Sequence, residues 1–275
     1  CYWTGPISTK TNQEVNVQEQ QQDVVALINV NLRLERGQLT CVVGSVGSGK
    51  SALLLALAGE LFPSKGKISR KHGAITLAYA AQDPWIMDGS VEENILLGLP
   101  MQRDWYNEVL KCCGLNVDFA RFRDGDQTIV GDRGVQCSGG QRARIGLARA
   151  LYRDADIILL DDPLSAVDAK VCRLLFYEAI MGLAVTRGKC VVLATHQHQF
   201  LGRARCVLIE DGRLLCDGSY AECVSASGGK LGNAGNSMNA FGAKKRAVKK
   251  EKIDSQVVNS TNENLVSSVQ DELQE

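Results

Sequence analysis

Apolar residues along this chain come in short blocks separated by polar and glycine-rich text, and the length of each block predicts its element. Leu39-Thr40-Cys41-Val42-Val43, Ile157-Ile158-Leu159-Leu160 and Cys190-Val191-Val192-Leu193-Ala194 are short and nearly continuous, which predicts buried strands. Ala52-Leu53-Leu54-Leu55-Ala56-Leu57-Ala58 predicts a helix, and residues 92–97 and 104–113 carry helical periodicity. Between 24 and 43, apolar and polar positions alternate (Leu32, Leu34, Leu39, Cys41, Val43), which predicts paired strands. From about 44 to 223 strand and helix patterns alternate, the text of an α/β domain. Two segments lack any such pattern. Residues 11–23 are polar and glutamine-rich, and read as a flexible insertion. From Ser225 onward the chain is rich in Gly, Ser and Asn, then basic at Lys244-Lys245-Arg246 and Lys249-Lys250, then acidic at its end. Residues 225–275 therefore read as a disordered polar linker or regulatory tail.

Composition narrows the picture. The chain has 275 residues, 45% of them hydrophobic, and a formal net charge of zero. That suffices for one large globular domain plus tails, and the neutrality argues against nucleic acid as a partner. No apolar run approaches the roughly 18–20 residues that span a bilayer. The chain opens on Cys1 rather than Met, so an excised domain is expected, with any membrane part outside it. The ten cysteines form no C-x-x-C pair and many sit inside apolar runs, which predicts free thiols in a reducing compartment. No secretory signal is visible.

Chemistry enters at Gly44-Ser45-Val46-Gly47-Ser48-Gly49-Lys50-Ser51. The run fits G-x-x-x-x-G-K-[ST], the phosphate-binding P-loop, and it stands between a predicted strand and a predicted helix as that motif requires. The glycines let backbone N–H groups turn inward, the helix start adds positive dipole, Lys50 reaches β- and γ-phosphates and the Ser51 hydroxyl ligates Mg²⁺. A second motif, Ile157-Ile158-Leu159-Leu160-Asp161-Asp162, ends a buried strand with two carboxylates, at the end where α/β sheets bind ligands. Asp161 is expected to hold Mg²⁺ through water, and Asp162 to orient or deprotonate the attacking water. A third, Cys137-Ser138-Gly139-Gly140-Gln141, offers a capped helix start whose glycines admit a phosphate to the backbone.

Ser138-Gly139-Gly140-Gln141 with the following Arg142–Ala150 resembles the signature segment of ATP-binding cassette (ABC) ATPases, although Cys137 stands where Leu is usual. Gln82 in Tyr79-Ala80-Ala81-Gln82-Asp83-Pro84-Trp85 resembles the Q-loop glutamine, which implies contact with Mg²⁺ and coupling to membrane domains. Ser165-Ala166-Val167-Asp168 resembles the D-loop, and His196 resembles the H-loop histidine at the γ-phosphate. A metal reading of His196-Gln197-His198 lacks a nearby third ligand. For adenine stacking, Trp3 looks like the family's aromatic position. Tyr2 is the alternative, and a frayed terminal aromatic is the plain one.

Asp83–Gly98, Val130–Val135 and Asp161–Asp168 are similar to subfamily C, the multidrug resistance-associated proteins, and within it to the first nucleotide-binding domain. The resemblance implies an α/β P-loop ATPase domain over 1–224 with an antiparallel β subdomain and a helical signature subdomain at about 84–145. It implies ATP and Mg²⁺ as ligands, a second nucleotide-binding domain and membrane domains as partners, and a place on the cytoplasmic face of a membrane. The apolar runs at 39–43, 157–160 and 190–194 predict an α/β core with the P-loop and the Ile157–Asp162 strand side by side. Asp162 stands where most active ABC sites carry Glu. It is one methylene shorter, and a catalytic group misplaced by about 1 Å loses ~10²-fold in rate. A degenerate, slow ATP site is expected. An ATP-sensing regulatory domain and a soluble ABC ATPase are the competing readings; the second usually inserts coiled coils or basic arms, which this chain lacks.

Overall fold

The computed structural model describes residues 7–8, 25–70, 74–132, 134–229 and 231. Tyr2, Trp3, the 11–23 insertion and the tail beyond 231 lie outside the described residues. In chain order the elements are β1 (Ile7–Ser8), β2 (Val25–Leu27), β3 (Gln38–Val43), α1 (Lys50–Ala58), β4 (Leu77–Ala80), β5 (Gly89–Ser90), α2 (Val91–Leu96), α3 (Arg103–Cys112), α4 (Asn116–Phe119), β6 (Ile129–Val130), α5 (Gly139–Tyr152), β7 (Ile157–Asp161), α6 (Ala169–Leu174), β8 (Cys190–Ala194), β9 (Arg205–Glu210), β10 (Arg213–Ser219) and α7 (Tyr220–Ala226). A π-type helical stretch, Leu175–Val185, continues α6.

Six strands form the main sheet in the order β10-β9-β3-β8-β7-β4. β9, β3, β8, β7 and β4 run parallel, and β10 is an antiparallel edge strand. The central strands are buried on both faces: every residue of β7 and β8, and all of β3 after Gln38. One face packs Val42, Leu159 and Val192 against Leu53, Leu54 and Leu57 of α1. The opposite face, carrying Cys41, Leu160 and Leu193 by alternation, meets the π-type stretch. A strand sandwiched between helices has no polar side, which is why these segments read as continuous apolar runs.

Two sequence expectations are corrected here. The alternation over 24–43 makes paired strands only at its two ends, since β3 pairs with β8 and β9 but the middle of the segment joins no ladder. β2 is short and pairs with β1, and Asn29 takes a left-handed φ of 50°. Val30, Leu32 and Leu34 then run in without a ladder; their side chains join the core, and the Arg205 guanidinium bonds the carbonyl of Arg33. In β3 the alternation has no structural counterpart, since Thr40 is as buried as Cys41. The second correction concerns neighbours. β3 and β7 are not side by side: β8 lies between them, paired with β3 through Cys41↔Leu193 and with β7 through Leu160↔Leu193. Because the three strands are in register and parallel, their carboxyl ends still open onto one edge.

Between β4 and β7 the chain is mainly helical, with the short antiparallel pair β5–β6 at its base. The chain divides into two compact units, Cys1–Gly228 and Gly229–Glu275, and β1 to α7 all belong to the first. α7 starts on a Ser219–Glu222 capping box and runs to Ala226, so the composition break at Ser225 falls inside a helix. Among the described residues no helix is long and apolar enough to cross a membrane. The nine described cysteines are free, and six of them are buried.

Leu159 is fully buried in the central layer between α1 and its neighbouring strands. Leu159→Ala is expected to lower stability by about 3 kcal/mol, through lost transfer energy plus a residual cavity. Urea unfolding of the two proteins measures it; a change below about 1 kcal/mol would contradict the packing described.

Candidate functional site

The sheet's carboxyl edge opens first where β3 ends at Val43. The backbone at Gly44 runs so close to β9 that a Cβ would collide with the Ile209 carbonyl oxygen and lie 2.6 Å from Ser48 Oγ. Gly49, with φ 109°, is the N-cap of α1 and supplies no side-chain cap. The first N–H groups of α1 therefore face the loop with no side-chain cap to meet them, which is the geometry of an anion site. Lys50 begins the helix and is 8% exposed. Its ammonium donates to the carbonyls of Gly44 (3.1 Å) and Ser45 (2.7 Å). Burial pulls its pKa down, and the nearby carboxylates of Asp162, Glu210 and Asp161 oppose that shift. Ser48 Oγ is buried without a hydrogen-bond partner. A buried cation, an uncapped helix start and an unsatisfied hydroxyl together fit a phosphate chain.

β7 brings in the two carboxylates. Asp161 Oδ2 accepts from the Tyr79 hydroxyl of β4 at 3.1 Å, and that contact, after burial, raises the phenol's pKa. Asp162 leaves the strand with a left-handed φ of 45°. Its N–H donates to Ala194 O (2.9 Å), and its Oδ1 accepts from the Thr195 hydroxyl (3.2 Å) and the His196 N–H (3.4 Å). Its carbonyl accepts from the Ser165 hydroxyl at 2.8 Å, which starts the turn toward α6. Lys50, Ser51, Gln82, Asp161, Asp162 and His196 line one cleft of about 250 Å³. Val46, Gly47 and Gly49 form its loop wall, whereas Gly44, Ser45 and Ser48 shape the loop from behind.

Ser51, Gln82 and Asp161 present a hydroxyl, a carboxamide and a carboxylate. Such an oxygen set suits a hard cation that takes its remaining ligands from phosphate and water. Among the described residues no group of three His, Cys, Asp or Glu side chains is arranged to hold a metal alone. His198 instead bonds the Tyr220 hydroxyl through Nδ1 at 2.9 Å.

Ser138–Gln141 lie outside this cleft, at the start of α5. Ser138 caps the helix: its Oγ accepts from the Gln141 N–H (3.2 Å), and its N–H donates to Gln141 Oε1 (2.9 Å). Gln141 also donates to Asp118 (3.1 Å), so its side chain is committed to the fold. Arg144, one turn on, bridges Asp118, the Gly140 carbonyl (3.2 Å) and the Gly114 carbonyl (2.9 Å). Gly140 lies close over the loop that precedes α6, where a Cβ would stand 3.2 Å from Ala166 O. That loop ends on Asp168, which caps α6; the two backbone N–H groups it accepts hold its carboxyl below the usual range. Cys137 is half-buried, and burial raises its pKa.

The same helix holds the segment after Gln82. A Cβ at Gly146 would lie 2.6 Å from Pro84. The Arg149 guanidinium lies 3.8 Å over the Trp85 ring and bonds the Asn94 carbonyl (2.7 Å) and the Trp85 carbonyl (3.1 Å). Trp85 itself is 53% exposed.

Four contributors escaped the sequence reading. Tyr79 and Thr195 stood beside motif residues, yet nothing in a strand pattern says which hydroxyl will meet a carboxylate. Asp118 carried no motif at all. Glu210, which bonds Ser45, lies 165 residues from it in the chain.

Comparison with known proteins agrees with this geometry. A family model described as ABC transporter matches residues 27–165. The chain is 46% identical over 207 residues to ABC transporter C family member 7 of Arabidopsis thaliana, covering 74% of this chain and 13% of that protein. It is 47% identical over 201 residues to ATP-binding cassette sub-family C member 4 of Homo sapiens, covering 73% and 15%. It is 45% identical over 199 residues to Metal resistance protein YCF1 of Saccharomyces cerevisiae, covering 72% and 13%. The chain thus spans about one seventh of the length of these relatives.

Arg144 and Asp118 are only 13% and 10% exposed in their side chains. Asp118→Ala is expected to cost about 3–5 kcal/mol, because it leaves a buried guanidinium without its carboxylate. Asp118→Asn should cost less. Urea unfolding reads both, and equal stability of Asp118→Ala and the wild type would refute the role given to this pair.

Proposed function

This chain belongs to the ABC transporter family, and on that footing we propose that it is the first nucleotide-binding domain of a subfamily C exporter. It would sit on the cytoplasmic face of a membrane and close on a second nucleotide-binding domain when ATP binds. The observation that carries the reading is the meeting of Lys50, Gln82, Asp161, Asp162 and His196 around one cleft, drawn from four separate stretches of chain. The similarity to sub-family C transporters supports the choice of subfamily. The Asp161-Asp162-Pro163 sequence supports the choice of the first domain.

In this reading the backbone of Gly44–Ser51 cradles the ATP phosphates, and Lys50 turns its ammonium from the loop carbonyls toward the β- and γ-phosphates. Ser51, Asp161 and Gln82 would hold Mg²⁺, which when bound offsets phosphate charge. Asp162 would accept a hydrogen bond from the attacking water, and His196 would contact the γ-phosphate; water adds to phosphorus, ADP leaves, and inorganic phosphate is released. Ser138, Gly139, Gly140 and Gln141 would present the start of α5 to ATP held on the partner domain. Gln141 serves there by shaping the helix start, since its side chain is taken up by the capping box. The segment from Gln82 through Trp85, gripped by Arg149, would pass the nucleotide state to the membrane domains.

The site built on this P-loop should hold ATP longer than it hydrolyses it. Asp162 is already the shorter acid, and its Oδ1 is drawn back toward the end of β8 by Thr195 and His196. That leaves its carboxylate short of the position a glutamate would reach.

Lys50→Ala is expected to abolish Mg-ATP binding by the 275-residue chain, as titration calorimetry would show. Retained affinity would remove the P-loop from the reading. In the complete transporter, Asp162→Glu should raise ATP turnover at this site by up to about 10²-fold with affinity little changed, because the change acts on the transition state. An unchanged rate in a trapped-nucleotide assay of each site would show that carboxylate reach does not limit hydrolysis.

A further inference from the structure

The back of the phosphate loop is held by a feature that no motif announces. β9 and β10 are joined by the two-residue turn Asp211-Gly212, both with left-handed φ (48° and 70°), which is the Asp-Gly hairpin turn that suits the twist of antiparallel strands. This hairpin stands against the loop. The Gly212 N–H donates to the Ser48 carbonyl at 2.9 Å, and Gly212 O accepts from the Ile28 N–H at 2.7 Å. Immediately before the turn, Glu210 takes both polar groups of Ser45: Oε1 accepts its backbone N–H at 2.9 Å, and Oε2 accepts its hydroxyl. The Ser45 carbonyl in turn accepts the Lys50 ammonium at 2.7 Å. Ser45 is thus fixed at three atoms, between the loop's cation and a carboxylate that lies outside the cleft.

We propose that Glu210 is a positioning residue for the phosphate loop: its two hydrogen bonds fix Ser45, and through Ser45 they fix where the Lys50 ammonium waits for phosphate. The inference rests on the nucleotide reading above. Several features favour it over a plain stabilising contact. Ser45 is exposed, so its pairing buries little and adds little to the fold. Both partners of the carboxylate belong to one residue, which fixes an orientation as well as a distance. Gly44 packs directly against the Ile209 carbonyl, which closes the β9 side of the loop. The loop's first turn is therefore clamped by consecutive residues of β9, Ile209 and Glu210. Glu210 also adds negative charge near Lys50, so the latch keeps the ammonium in place before phosphate arrives.

The test uses the 275-residue chain with Mg-ATP and Mg-ADP as probes, and amide hydrogen exchange without nucleotide. Glu210→Ala should weaken both nucleotides about tenfold, in line with loss of charge-assisted hydrogen bonds at a partly exposed site. Exchange should rise at residues 45–48 and stay unchanged within β3. Glu210→Gln keeps an acceptor for the Ser45 N–H and places a donor at its hydroxyl oxygen but loses the charge, so it should lose clearly less affinity than Glu210→Ala. Ser45→Ala combined with Glu210→Ala should be no worse than Glu210→Ala alone, since the two residues act as a unit. Wild-type affinity in Glu210→Ala would overturn the proposal. So would a rise in exchange spread through β3, which would mark a general stabiliser, or a Gln variant as damaged as the Ala variant. Should the wild type fail to bind Mg-ATP, both readings fall. Failure of this inference alone is recognised by a wild type that binds, a Lys50→Ala that does not, and a Glu210→Ala that matches the wild type.

Discussion

Lys50 carries its ammonium to a place where only 8% of the residue meets solvent, and that desolvation sets what the rest of the unit must supply. A buried cation needs partners. Two come from its own loop, the carbonyls of Gly44 and Ser45. The compensating charge comes from Asp162, Glu210 and Asp161, at the ends of strands β7 and β9 that flank β3 and β8. Parallel pairing in register is what brings these groups to one edge, since each strand delivers its last residues at the same height. The same edge receives Gln82 after β4 and His196 after β8. The sheet is the instrument of convergence, and the lysine offsets the carboxylate charge gathered at that edge.

α5 performs a second kind of convergence. Its first turn is the signature segment, held by the Ser138–Gln141 capping box and by Arg144 on Asp118. Its later turns hold the segment after Gln82 through Gly146 against Pro84 and Arg149 over Trp85. One helix thus joins the Ser138–Gln141 segment with the segment that leads from the cleft. Gly140 against Ala166 adds the loop that starts at Asp162. The cleft is therefore connected to both segments through packed contacts.

Much of this was legible in the residues. The P-loop could be read because its function lies in local backbone geometry: glycines, a lysine and a helix start within eight positions. β7 and β8 could be read because burial on both faces leaves an unbroken apolar run. Ser138 announced a capped helix start, and α2 and α3 followed from helical periodicity. Reading stopped where a residue's partner is distant. Alternation at Leu32 and Leu34 looked like strand pairing, but a period of two records which side chains are buried, not whether their backbones meet a ladder. The insertion of β8 between β3 and β7 left no local trace, because strand order is chosen by helix packing on two faces. Glu210 on Ser45 and Tyr79 on Asp161 are contacts across 165 and 82 positions. Sequence by itself therefore determined the identity of the chemical groups and the local shapes that carry them. Only the tertiary structure decided their neighbours, because hydrogen bonds and ion pairs form across space between strands whose order a one-dimensional pattern does not encode.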